Sequence, residues 1–288
     1  MNRINTNLIN LYEKERFKTI NELLINLQER EFTLKEILLK DIIPEHLQNL
    51  NKDKALLRIL SYSELYSIMN IGYYNACINN NPQEFLNGFF TYARLNFERI
   101  KMLGSGTDHC IFFPYVIEHL AMNDTKRAKE IFNIELGVSK LGHRYAKCVT
   151  TMIMAILHKD EQFISKARII GEKYLKLKNP TFDQKSIEFL YAIMDKNIEK
   201  VNDLFVDICQ GYRNAKWLHD FKNPFLKEIG IYPIGLFKLA VYYFEEDSYK
   251  LVLPNFEILW KEFVQLKENG KSYIEFKNEL KGLNEYLK

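Results

Sequence analysis

Apolar residues recur along most of this chain at the spacing of one helix face. Phe163, Ala167, Ile170 and Tyr174 stand at i, i+4, i+7 and i+11, and Val201, Leu204, Phe205 and Ile208 hold a similar phase, as do Phe256, Leu259, Phe263 and Leu266. Successive residues of an α-helix advance by about 100°, so each set draws an apolar stripe that is stable only when buried. Helix-start signals fall in step with the stripes. Asn81-Pro82-Gln83-Glu84 supplies an Asn N-cap, Pro in the first turn and Glu at N3, while Thr33–Glu36 and Ser272–Glu275 read as capping boxes. No sustained apolar/polar alternation bounded by turn residues is present, so the pattern predicts an all-α fold with essentially no strands.

The helices are expected to pair. Four segments share one design: an apolar helix end, two or three polar turn residues, then a second amphipathic helix. They are Tyr73–Arg94, turning at Asn80–Pro82; Val116–Leu136, turning at Asn123–Thr125; Met152–Ile170, turning at Lys159–Asp160; and Phe189–Ile208, turning at Asp195–Asn197. Counted from Asn81, Asp124, Asp160 and Asn197, successive turns fall 43, 36 and 37 residues apart. Such periods belong to helical solenoids, in which each hairpin buries its apolar face on its neighbours. No TPR or ankyrin consensus is readable. The expected architecture is an irregular array of antiparallel helical hairpins, α-solenoid or TPR-like, forming a single elongated domain over 1–288 with a weak subdivision into 1–104 and 108–288.

Composition supports this and narrows little else. The 288 residues hold 12 glycines and 7 prolines, about half the roughly 12% that average usage supplies, whereas sandwiches and barrels need many such residues in tight turns. Five of them, Gly211, Pro224, Gly230, Pro233 and Gly235, gather between 211 and 235, which marks that stretch as the least regular and a place to look for a partner. Lys and Arg total 40 against 37 Asp and Glu, a net charge of +3. That balance lacks the basic excess of a general nucleic-acid binder, so no nucleic-acid partner is expected. Apolar runs such as Ile231 to Ala240 fall short of a membrane span, and residues 1–16 lack a secretory apolar core. The expected location is cytoplasmic, with no membrane association.

Candidate chemistry is sparse. Cys77, Cys110, Cys148 and Cys209 are at least 33 positions apart and sit in apolar helical contexts, so buried, reduced thiols are expected. Gly104-Ser105-Gly106 lacks both the Gly-Lys-Ser/Thr of a P-loop and the strand–GxSxG–helix of a nucleophile elbow, leaving a turn with Asp108 as an N-cap. The six histidines (His46, His109, His119, His143, His158 and His219) form neither HExxH nor an i, i+4 pair. His109, Cys110 and His119 would make a zinc site only if distant residues joined them, and His158 suits a helix C-terminus. No metal and no cofactor are expected. One constellation has catalytic form. Arg213-Asn214 followed by His219 has the Arg-polar-x4-His spacing of HEPN ribonucleases, in which His transfers a proton beside the RNA phosphate.

From about Met152 to Leu266 the chain resembles the all-helical immunity protein 49 family of bacterial polymorphic toxin systems. The resemblance rests on the hairpin turns Ala155–Asp160 and Leu190–Asn197, the stretch Arg213 to Trp217, the run Ile231-Tyr-Pro-Ile-Gly-Leu-Phe-Lys-Leu-Ala240, and Leu251-Val-Leu-Pro-Asn255 before an amphipathic helix. It implies a non-enzymatic chain that binds and neutralises a cognate toxin protein, with no catalytic residue to transfer. Arg213, Lys216, Trp217 and His219, bracketed by helix breakers, are the candidate partner contacts. The alternatives are a HEPN-like metal-independent ribonuclease using Arg213 and His219, and a helical-repeat scaffold or peptide-binding regulator.

Overall fold

A computed structural model describes residues 62–79, 81–102, 112–137, 144–176, 182–212, 229–256, 261–265, 273–276 and 278–288, with the single positions 54, 57 and 259. The fold is all-α: the described residues contain no strand. The chain divides into two compact units, residues 1–105 with 265–288, and residues 106–264.

In the first unit α1 (Tyr62–Asn79) and α2 (Pro82–Lys101) form a hairpin, and a 3-10 helix, Asn278–Leu287, packs on α2. The two long helices touch backbone to backbone. A Cβ on Gly72 would lie 2.7 Å from the Cα of Gly88, and one on Gly88 would lie 2.8 Å from the Cα of Gly72. Asn87-Gly88, a dipeptide common in strand turns, lies here inside a helix, and position 88 is glycine because only hydrogen fits that crossing. Around it Tyr66, Phe85, Phe89 and Tyr92 stack in series. The capping box expected at Ser272–Glu275 does not open a helix. Residues 273–276 are non-helical, the Ile274 N–H donates to Thr91 Oγ1 at 2.7 Å, and the 3-10 helix starts only at Asn278. A tertiary hydrogen bond has displaced the local signal.

The second unit contains α3 (Phe113–Ala121), α4 (Thr125–Ile131), α5 (Arg144–His158), α6 (Glu161–Leu175), α7 (Phe182–Met194), α8 (Ile198–Gly211), α9 (Ile231–Phe244) and the start of α10 (Lys261–Gln265). Short 3-10 helices occupy Ile134–Leu136 and Glu245–Lys250. The pairs α3/α4, α5/α6 and α7/α8 are hairpins that turn where the apolar pattern breaks. Their links are short because one residue serves both helices. Asp124, Asp160 and Asn197 each accept a hydrogen bond from a backbone N–H in the first turn of the following helix. The backbone N–H groups of Asp124 and Asn197 also reach back to His119 O and Ala192 O, both at 2.9 Å, the six-to-one bond of a Schellman ending. That ending needs a left-handed residue just before it. Asn123 (φ 64) and Lys196 (φ 57) supply it, and Lys159 (φ 52) holds the same conformation before Asp160.

Helix α9 is apolar nearly all round and packs on α3, α5, α7 and α8. A row of hairpins touching only their neighbours would not bring α9 onto α3. The contact is close: a Cβ on Gly235 would meet Ile117 O at 2.7 Å. Of the stretch read as irregular over 211–235, residues 231–235 are helical, and Gly230 caps α9 in a left-handed conformation (φ 61). Pro233 lies in the first turn, where no intrahelical N–H is needed. The continuous amphipathic helix expected from Phe256 to Leu266 is also shortened. Phe256 is non-helical and, among the described residues, the α-helix covers Lys261–Gln265, although Leu259 and Phe263 are buried as their spacing implies. The backbone is extended at Leu251 and residues 251–256 are non-helical, so the stripe begins in irregular chain.

Candidate functional site

Arg213, Lys216, Trp217 and His219 lie outside the described residues. Tyr212 ends α8 fully buried, Ile229 is buried before α9, and Tyr212 stacks on Tyr232 with centroids 6.3 Å apart. The Gly104–Asp108 turn, His109, Cys110 and the Thr33–Glu36 box also fall outside. Cys148 and Cys209 are buried thiols, and burial pushes each up to about 12. His158 ends α5, with its Nε2 hydrogen-bonded to the Phe132 carbonyl at 2.8 Å.

His119 has a role that its isolation in the sequence did not suggest. It is 1% exposed, and its Nδ1 lies 3.5 Å from Asp124 Oδ2. The same Asp124 carboxylate takes the Arg127 guanidinium at 3.0 Å and caps α4. Burial pushes the Asp124 carboxyl up, but the hydrogen bond and charge of His119, with Arg127 behind them, outweigh it and hold the group well below the usual carboxylate range. His119 and Asp124 are thus joined twice, backbone to backbone and side chain to side chain. The cluster locks the α3/α4 turn.

On the second unit two hairpin tips and the end of α9 come together. At the α5/α6 tip the Lys159 ammonium donates to the Glu245 carboxylate and faces the rings of Tyr242 and Tyr243 at 4.9 and 5.6 Å. Lys129 of α4 faces the Tyr242 ring at 5.1 Å, and the Tyr242 hydroxyl donates to Leu157 O, one of the carbonyls left open at the end of α5. Arg168 of α6 pairs with Asp195 at the α7/α8 tip at 2.6 Å and faces the Tyr191 ring. Lys159, by hydrogen bond and charge, holds the Glu245 carboxyl below its ordinary range. Burial raises the Tyr243 phenol; the carboxylates of Glu161 and Asp195 add to the rise, and Arg168 opposes it.

Beyond Glu245 the chain crosses this end as a 3-10 turn followed by extended backbone at Leu251. Asn202 on α8 grips it. Its Nδ2 donates to Lys250 O at 3.1 Å, and its Oδ1 accepts from the Val252 N–H at 2.9 Å, as a peptide unit of an adjacent strand would do. Held this way, Tyr249 and Val252 are 78% and 60% exposed. Of the large apolar side chains described, only Ile169 is exposed to a comparable extent. Asp195, Asn197, Glu199, Asn202 and Lys250 help to line an open depression of about 610 Å³ beneath the segment.

Neither Asn202 nor Glu245 was singled out by spacing, because a polar residue on the polar face of a helix carries no sign of what it grips. Family models, curated proteins and solved structures were compared with the chain, and none matches. Among the described residues no helix is long and apolar enough to cross a membrane.

Proposed function

We propose that this chain acts by binding another protein, as an immunity protein that neutralises a cognate bacterial toxin, and that the end of the second unit formed by Lys159, Tyr243, Tyr249 and Val252 contributes to the contact. The toxin enters through the resemblance of Met152–Leu266 to immunity protein 49. The observation that carries the choice of face is Tyr249 with Val252: two large side chains held in water by a backbone fixed at both ends. Tyrosine is enriched among residues that dominate binding energy, and holding it in place beforehand lowers the entropy lost on association. Charged groups around the aromatic rings give the polar rim such contacts use.

The test is co-expression with the toxin-domain protein encoded beside this gene. Cells survive with the wild-type chain, and the two proteins co-purify. Tyr249→Ala combined with Val252→Asp weakens capture at least 10-fold, about 1.4 kcal/mol, with unchanged thermal unfolding. Full protection and capture by the double variant remove this face from the reading, and absence of any co-purifying toxin removes the immunity function. A second reading, a peptide-binding regulator, draws on Asn202, whose amide already holds main chain as it would hold an extended peptide. It predicts binding of unstructured peptides without any toxin.

A further inference from the structure

We infer that residues 245–252 form a latched strap that opens as a unit while the helices beneath it stay folded. Two anchors hold it. The first is the Lys159–Glu245 ion pair, reinforced by a hydrogen bond from Lys159 Nζ to Tyr243 O. The second is the two-bond grip of Asn202 on Lys250 and Val252. Between them runs a six-residue 3-10 helix with no buried residue, so its own hydrogen bonds and packing give little resistance to opening.

The first anchor is strained on the strap side: Glu245 (φ 50, ψ −113) has a positive φ, which L-residues with a Cβ rarely adopt. The ion pair joining them is solvent-facing, with 32% and 70% of the two side chains exposed. Strain favours release and the charge pair favours closure, and an exposed pair loses strength as salt rises. The closed latch is therefore sensitive to ionic strength. Opening at Glu245 leaves Tyr249 and Val252 on a segment tied only at Asn202, so the pre-organisation that favours binding is lost. This assigns a regulated step to the surface proposed above and rests on that reading for its purpose, but it is measured on the chain alone.

The experiment is hydrogen–deuterium exchange on the full chain, followed by peptide mass spectrometry at about 20 and about 500 mM salt, between which the screening length falls from roughly 20 to roughly 4 Å. Exchange over 245–252 is expected to rise roughly 3-fold with salt while α5 to α8 stay protected. Lys159→Met keeps the stem and removes the charge; it raises low-salt exchange at Glu245 towards the high-salt wild type and leaves only the smaller salt response of the Asp247–Lys250 pair inside the strap. Asn202→Ala speeds exchange at 251–253 yet preserves the salt response nearer Glu245. The inference is overturned if salt and Lys159→Met leave 245–252 unchanged, or if the helices lose protection in parallel. Neither result depends on whether a toxin binds.

Discussion

Replacing Gly235 by alanine tests the central packing of the second unit. The new Cβ would lie 2.7 Å from Ile117 O and 2.8 Å from Ile117 Cγ2, whereas a carbon–oxygen contact settles at about 3.3 Å or more. α9 and α3 must therefore separate by roughly 0.6 Å at this crossing. One obstacle is a helix backbone carbonyl, which cannot rotate aside, so the cost falls near the top of the overpacking range, about 3 kcal/mol. Alanine also recovers about 1 kcal/mol of helix propensity, leaving a net loss of about 2 kcal/mol. For a unit of this size that lowers its unfolding midpoint by about 4–8 °C. Differential scanning calorimetry and urea denaturation of the full chain measure it, fitted so that the two units can unfold separately. Gly171→Ala is the comparison: its Cβ meets the edge of the Tyr191 side chain, which can swing, so the loss is smaller. A neutral or stabilising Gly235→Ala would mean that α9 does not approach α3 backbone to backbone.

Other consequences are equally direct. Lys196→Gly should stabilise the α7/α8 hairpin: relief of left-handed strain gains about 1–2 kcal/mol, less about 0.5–1 for the freer unfolded glycine, and a lowered urea midpoint would contradict the Schellman turn. Asp124→Ala should cost about 3 kcal/mol by leaving His119 and Arg127 without their carboxylate in a buried turn, while Asp124→Asn keeps the N-cap and loses less. Because the folded-state pKa of Asp124 is depressed, its contribution is fully present above the ordinary value of 3.8 and fades as pH falls below it towards the folded value; equilibrium unfolding of wild type and Asp124→Asn should converge in that acid window. Cys148 and Cys209, buried and with pKa values near 12, should react with iodoacetamide at neutral pH only when the unit unfolds, and fast labelling of the native chain would refute their placement.

The sequence alone determined the helices, their pairing and the positions of their turns. Those properties depend on neighbours within four or five residues. The stripe through Phe163 and Ala167, the N-cap at Asp160 and the cap shared by Asn197 can all be read locally, because a helix satisfies its own backbone. Where a remote partner competed, local reading failed: Ser272–Glu275 lost its helix to a bond with Thr91. Tertiary structure alone decided that α9 closes on α3, that Lys159 meets Glu245 across 86 residues, and that Asn202 holds Lys250 across 48. Each of these rests on one hydrogen atom, one charge or one amide whose partner is set by packing. Periodicity records which face of a helix is apolar; it carries no record of which helix, or which strap, will lie against it.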